Sequence, residues 1–368
     1  MKKKLVFLCG ARDFHAMDWY KSSLELVKDT KISIVTDLIA GENFSKIVSE
    51  KDDVHKLLIL DPFLFKNQSS LGDKWRNILK LCVLPIQVIL LRIYAKKNPG
   101  TIYHAHAMYY LVLARAAGLN YIGTPQGSDI LVKPYRSSFF KKFAKYGMLG
   151  AKNITVDSIE MQKGVSNLTG QNAILIQNGI DINEINKTLK TFREMSYERE
   201  LILSIRGFTE LYRIKDILVN RNKTLPNEKL TFIYPFYDDI YKLECSKHIQ
   251  NQDVDLGRVN RETMYELLLK TILVISIPQS DSSPRSVYEA IFCGCIVAIE
   301  YNTYYELLPD CMKKRIIIVD LKKENWLQDS LTSAKKMISE EYTPSKMALE
   351  NFDQRKSFKK LEQLLFNY

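Results

Sequence analysis

The chain has 368 residues, 53 Lys and Arg against 42 Asp and Glu, and a hydrophobic share of 46%. That length suits two domains better than one, and the composition is that of an ordinary globular protein. Six scattered cysteines (Cys9, Cys82, Cys245, Cys293, Cys295 and Cys311) form no C-x-x-C pair, which argues against a disulfide framework or a zinc site and for reduced core residues in a cytosolic protein. In chain order, Met1 to Gly10 begins with three lysines and a short apolar run. The run is too short for a signal peptide and reads as a strand followed by a glycine turn. Further short apolar runs occur at Ile32–Val35, Leu57–Leu60, Ile102–His104, Tyr121–Gly123, Ile154–Val156 and Ile174–Ile176. Longer stretches of mixed polarity separate them, the pattern of a parallel sheet with crossover helices. Asn178-Gly179-Ile180-Asp181 punctuates this series. After a charged stretch to Glu200 the rhythm restarts at Leu201–Ile205, Leu230–Tyr234, Val254–Leu256, Ile272–Ile277, Ile296–Ile299 and Ile316–Val319. The expected organisation is therefore α/β throughout: a first domain over 1–190, a second over 191–345, and an amphipathic tail helix within 346–368.

The net charge of +11 is unevenly distributed. Residues 1–190 carry 27 basic and 16 acidic side chains, whereas residues 191–368 carry 26 of each. A basic first half points to an anionic partner, such as an acidic membrane or a phosphorylated substrate. No nucleic-acid module accompanies it, so no nucleic-acid partner is expected. Lys133 to Tyr146 interleaves bases with Phe139, Phe140, Phe143 and Tyr135, which suits the headgroup boundary of an anionic bilayer and equally an ordinary solvated face. Trp75 to Lys97 is apolar but interrupted by Lys80 and Pro85. It is expected as a helix packed on the sheet rather than a membrane span.

The most informative stretch is Ser280 to Ala290, which leaves the strand at Ile272–Ile277 and enters a helix. Ser283 is a plausible N-cap with Pro284 at the first helical position. The amides of Arg285 and Ser286, with the positive end of the helix dipole, suit a diphosphate. Glu289 lies one turn beyond Arg285 and is placed to accept from ribose hydroxyls. Asp281, eight residues before Glu289, sits in the loop where it would meet a sugar.

This segment resembles the acidic-x7-acidic signature of family 4 glycosyltransferases, retaining enzymes of the GT-B fold, with Asp281 where Glu is usual. The resemblance implies two facing Rossmann-like domains with parallel sheets, a cleft between them, and a tail that crosses back to the first domain. Further segments match in the same order. Arg206 follows the strand Leu201–Ile205, where the family grips the donor diphosphate with an Arg and a Lys about five residues on. Leu211 and Tyr212 occupy that second position, leaving Arg213 or Lys215 as substitutes. Tyr103-His104-Ala105-His106 is similar to the family's His-x-His, which makes His106 the candidate for stabilising the transition state. Two histidines at i and i+2 share a strand face and so suit a metal, but no third ligand is evident. Thr124-Pro125-Gln126-Gly127-Ser128-Asp129 resembles a Thr-x-His-Gly-Ser-Asp segment, and implies that Gln126, Ser128 and Asp129 meet acceptor or donor hydroxyls. Gly10, with Arg12 and Asp13 beyond it, stands where the family has a glycine loop near the acceptor. The second domain departs from the family at Tyr234 to Asp239, where a Gly-x-Gly is usual.

The catalytic set implied is thus His106, Arg206 and Asp281. The donor set is Arg206, Arg213, Lys215, Ser283, Arg285, Ser286 and Glu289. The acceptor set is Gly10, Gln126, Ser128 and Asp129. The expected activity is that of a hexosyltransferase using a nucleotide-sugar donor, UDP-linked, with no metal or other cofactor. Its acceptor would be a glycan or lipid-linked glycan in cell-surface polysaccharide assembly (lipopolysaccharide, O-antigen or capsule). The expected location is the cytoplasm, peripheral on the inner face of the membrane. A nucleotide-sugar epimerase and a non-catalytic sugar-nucleotide-binding subunit are the alternatives.

Overall fold

A computed structural model describes residues 3–11, 13–27, 30–40, 42–65, 70–193 and 198–366. The chain divides into two compact units, Met1–Ile176 with Phe358–Tyr368, and Gln177–Ser357. The first unit holds seven strands: β1 (Lys3–Leu8), β2 (Thr30–Thr36), β3 (Asp53–Lys56), β4 (Thr101–His106), β5 (Tyr121–Thr124), β6 (Asn153–Val156) and β7 (Ile174–Leu175). They form one sheet in the order β3-β2-β1-β4-β5-β6-β7. Every neighbouring pair is parallel. The second unit repeats the plan with β8 (Leu201–Ser204), β9 (Leu230–Ile233), β10 (Val254–Gly257), β11 (Thr271–Ser276), β12 (Ile296–Ile299) and β13 (Ile316–Ile318). Its parallel order is β10-β9-β8-β11-β12-β13. In both sheets the chain winds outward from the first strand to one edge, then returns to the centre and winds to the other. The strand order therefore reverses between β1 and β4, and again between β8 and β11.

Parallel strands covered on both faces read as continuous apolar runs. That is why β11 and β12 are buried along their whole length. The third expected strand is displaced: pairing runs through Asp53–Lys56, with Ser33 opposite Asp53, not through Leu57–Leu60. An edge strand tolerates polar side chains because only one side of its backbone is paired. Leu57 and Leu60 are nevertheless buried, on the chain as it leaves the sheet.

The unit boundary also lies earlier than residue 190. Helix Ile182–Arg193 buries Ile182 and Ile185 in the core of the second unit, so it belongs there. The tail is two helices, not one. Lys346–Phe352 contributes Ala348 and Phe352 to the second unit's core. Gln354–Phe366 contributes Phe358, Leu361 and Leu365 to the core of the first, beside Met17, Tyr20 and Ile34.

The Asn178-Gly179 turn owes its glycine to close approach. Ile180 N donates to Phe352 O at 2.8 Å and Gln354 N donates to Ile180 O at 3.0 Å, so two backbone segments run side by side. A Cβ on Gly179 would stand 2.3 Å from Gln354 N. Backbone cannot yield as a side chain tip does, so Gly179→Ala is expected to destabilise the second unit by about 1–3 kcal/mol, read as a lower urea midpoint in equilibrium unfolding.

Candidate functional site

Several of the sequence-derived candidates stand at the carboxyl ends of the strands flanking each reversal, one cluster in each unit. In the first unit, His106 ends β4, and Gly10 and Asp13 follow β1, the strand beside it. His106 is buried, with Nε2 3.9 Å from Asp13 Oδ2, an ion-pairing distance once the imidazole is protonated. The Gln126 side-chain amide donates to the same carboxylate oxygen of Asp13. An imidazole, a carboxylate and an amide thus converge from β4, the β1 loop and the end of β5. Arg12 lies outside the described residues.

The turn after His106 is strained. Ala107 has φ 71° and ψ 149°, a region that costs a non-glycine residue roughly 1–3 kcal/mol. Two contacts hold it: Ala107 N donates to Thr124 O at 2.9 Å, and Met108 N donates to Asp129 Oδ2 at 3.0 Å. Asp129 also accepts from Lys133 Nζ at 2.7 Å and from Gln126 N at 3.3 Å. Both of its oxygens are engaged and the residue is buried, so its first task is to fix this turn. Ser128 beside it is exposed. Gly10 is buried, and the space a side chain would need is filled by Tyr110, whose hydroxyl would be 2.7 Å from its Cβ.

His104 shares the strand face with His106, ring centroids 6.0 Å apart, but its setting differs. It is fully buried, with Nε2 2.7 Å from Thr124 Oγ1 and no hydrogen-bond partner at Nδ1 among the described residues. Desolvation, reinforced by His106, lowers its pKa from 6.5 to about 3. No group of three His, Cys, Asp or Glu side chains suited to a metal occurs among the described residues.

In the second unit, Arg206 follows β8 and Asp281 follows β11, the strand beside it. Arg206 Nε donates to Ser276 Oγ at 2.7 Å and Nη2 donates to Asp281 Oδ2 at 2.7 Å. Tyr212 flanks the guanidinium, its ring centroid 5.5 Å away. Nη1 has no hydrogen-bond partner among the described residues. A fixed cation with a spare donor is therefore held at the strand ends by two side chains. Asn302 Oδ1 accepts from Asp281 N at 3.1 Å and steadies the loop.

Helix Arg285–Phe292 begins one residue later than expected. Its N-cap is Pro284 and no side chain caps it. Ser283 is not the cap; its hydroxyl donates to Gln177 Oε1 at 2.9 Å. Arg285 and Ser286 are the first two helical residues and are half-buried. Glu289, one turn on, is 5% exposed and accepts from Tyr265 OH at 3.1 Å. Arg213 and Lys215 part company. Arg213, at φ 53°, ion-pairs with Glu300, just past β12. Lys215 Nζ lies 3.3 Å from Glu244 on helix Asp239–Ser246. Of the two, Arg213 is the one directed to the ends of the central strands. Ser276, Glu300, Tyr265 and Gln177 were not singled out by sequence. Of these only Ser276, a polar residue closing an apolar strand, leaves a local signal.

No model of a known protein family matches the chain, and no curated protein matches it in sequence. Solved structures do match. HepE from Anabaena, in complex with UDP and glucose, aligns at a TM-score of 0.71 and 15% identity, covering 100% of both chains. A UDP-forming α,α-trehalose-phosphate synthase from Burkholderia xenovorans aligns at 0.73 and 12% identity, over 100% of this chain and 99% of that one. A protein assigned as a UDP-N-acetylglucosamine 2-epimerase from Listeria monocytogenes aligns at 0.60 and 13% identity, over 98% and 95%. The fold is GT-B. At these identities the likeness speaks for architecture alone. In this GT-B chain both residue clusters stand where open α/β sheets bind ligands.

The histidine pair has a measurable consequence. The unfolded chain takes up a proton at His104 near pH 6.5, the folded chain only near 3. Between those values the unfolded state binds more protons, so stability rises with pH and falls on acidification by up to about 1.4 kcal/mol per unit. From pH 7 to pH 5, the wild type is expected to lose roughly 2 kcal/mol more than His104→Gln, measured by urea unfolding at each pH.

Proposed function

We propose that the protein is a glycosyltransferase that takes a sugar from a nucleoside-diphosphate donor, UDP-linked, and transfers it with retention to a glycan. The observation that carries this is Arg206, held by Ser276 and Asp281 at the strand-order reversal of the second sheet with Nη1 unclaimed. Guanidinium binds phosphate through paired donors and stays charged throughout, and the uncapped start of helix Arg285–Phe292 adds a second anion-attracting element. Arg213 supplies a further positive charge, tempered by Glu300. Glu289, oriented by Tyr265, is assigned to the ribose hydroxyls, and Ser283 and Ser286 to supporting roles around the diphosphate; Lys215, paired with Glu244, is left out of the donor set.

In the reaction the bond from the anomeric carbon to the diphosphate oxygen breaks, and a bond to the acceptor oxygen forms. The acceptor's proton passes to the departing phosphate. Positive charge on the sugar and negative charge on the leaving group both grow, so fixed cations lower the barrier electrostatically. Turnover is proposed to need no metal and to persist in chelator. His106, with Asp13 behind it, is assigned to the sugar-transfer step, and Gln126 and Ser128 to sugar hydroxyls. A lipid-linked acceptor, for which the basic first half speaks, a role in surface-polysaccharide assembly, for which that charge and the family resemblance speak, and a cytoplasmic, membrane-peripheral location, for which the scattered cysteines and the charge speak, belong to the same proposal.

One observation favours a second reading. The His106–Asp13 pair is an acid–base couple of the kind an epimerase requires. Product analysis separates the two: an epimerase returns an isomerised nucleotide sugar, a transferase releases nucleoside diphosphate. A binding subunit would hold nucleotide and release neither.

Arg206→Ala is expected to weaken UDP binding by about 10- to 100-fold, the worth of a charge-assisted hydrogen bond, and Glu289→Ala to weaken it as well, by calorimetric titration. His106→Ala should leave UDP affinity unchanged and reduce slow donor hydrolysis at least about tenfold. Unchanged affinity in both the Arg206 and Glu289 variants would remove the donor-site assignment.

A further inference from the structure

We propose that the outer face of helix Ser70–Lys97 lies in the headgroup boundary of an anionic lipid bilayer and is the protein's principal membrane contact. The helix is not covered as its sequence led one to expect. It has two faces of opposite character. Inward, Leu91 is buried in the first unit's core and Leu84 and Val88 pack against that core. Outward, Trp75, Ile78, Leu81, Ile86, Ile89 and Ile93 form an exposed stripe, with Ile78, Ile86 and Ile89 at 53%, 51% and 57%. From Ile78 to Ile93 the stripe runs about 23 Å at helical rise. It carries no charged side chain until Arg92, and exposed Lys96 and Lys97 follow.

By length and composition Trp75–Lys97 is able to cross a membrane, but its inward face forbids that. Buried Lys80 lies 3.2 Å from Asp37 Oδ2 and donates to Tyr110 OH at 2.8 Å. Gln87 Nε2 donates to the same aspartate at 3.3 Å, and Gln87 Oε1 accepts from Tyr109 OH at 2.7 Å. Withdrawing the helix into hydrocarbon would break this buried network and carry a lysine with it. The helix is fastened to the unit, so its apolar face meets lipid only by lying along the surface.

Charge identifies the surface as anionic. Residues 75–150 contain eleven Lys and Arg and a single acid, Asp129, which is buried. Arg92, Lys96, Lys97, Arg136, Lys141, Lys142 and Lys145 are exposed. Helix Ser138–Leu149, which carries three of these lysines with exposed Phe139 and Tyr146, packs on helix Met108–Ala117. Helix Ser70–Lys97 packs on the same helix, and Arg92 Nη2 donates to Ala116 O at its end. A second copy of this chain would bring its own cations against these ones, whereas anionic headgroups would neutralise them. This sharpens the peripheral location proposed above. It stands apart from the donor assignment, because vesicle binding is read without nucleotide and UDP binding without lipid.

The test is flotation of the full chain with phosphatidylcholine vesicles, with and without phosphatidylglycerol. Wild type is expected to bind the phosphatidylglycerol vesicles at least tenfold better, with affinity falling as salt rises. Ile86→Glu with Ile89→Glu should reduce that binding at least tenfold at an unchanged melting temperature. Lys141→Glu with Lys142→Glu should reduce it by a smaller factor. A measurement on the wild type needs no variant: brominated lipid should quench tryptophan emission, since Trp75 is on the stripe, Trp326 is buried and Trp19 packs against Phe358 in the first unit's core. Equal flotation of wild type and the isoleucine double variant, or absence of quenching on bound vesicles, would overturn the proposal. So would a wild-type dimer in sedimentation velocity that the double variant splits, with no vesicle binding, which would make the stripe a subunit interface.

Discussion

The reversal of strand order in each parallel sheet is the constraint on which the remaining features depend. A right-handed crossover places its helix on one face when the chain winds outward and on the other when it winds back. At the reversal the two connections leave in opposite directions and open a crevice at the strand ends. Gly10, Asp13 and His106 stand at the crevice between β1 and β4, and Arg206, Ser276 and Asp281 at the one between β8 and β11. Apolar interiors of the strands fix these positions, so polar side chains far apart along the chain meet at the strand ends.

Two arginines in the second unit show what separates a structural cation from an available one. Arg221 is fully buried and all three of its nitrogens are occupied, by Asn222 Oδ1, Glu228 O and both oxygens of Asp253. Such a pair leaves nothing for a ligand, and removing one partner would strand a buried charge. Arg206 has two nitrogens occupied and, among the described residues, one not, beside a tyrosine ring. The same residue type thus reads as scaffold or as anion receptor according to how many of its donors the protein has already claimed. His104 and His106 make a parallel contrast. They share one strand face, yet burial keeps the first neutral while the second lies beside a carboxylate.

Local rules failed where a tertiary partner competed. Ser283 has the residue type and position of an N-cap, but its hydroxyl is turned to Gln177, distant in sequence, and the cap falls at Pro284. Leu57–Leu60 has the composition of a strand, but the pairing register of β2 selects Asp53–Lys56. Arg213 and Lys215 are equivalent by spacing and are separated only by the acids they meet, Glu300 and Glu244. Asp129 looks like a ligand residue in its motif, yet one oxygen holds the strained turn at Ala107 and the other is taken by Lys133.

From residue order alone follow the α/β class, the repeat of the plan after Asn178-Gly179 and the positions of twelve of the thirteen strands among the described residues, because most of these strands are buried on both faces and are written as apolar runs, while the exposed edge strand β10 keeps only Val254 and Leu256. The candidate residues at strand ends were legible for the same reason: a polar side chain closing such a run marks where the sheet stops. Which of those side chains meet, which donors remain unclaimed and which face of the apolar helix Ser70–Lys97 stays open were decided only when the chain folded. Those properties depend on partners dozens of residues away, and no periodicity within a segment records them.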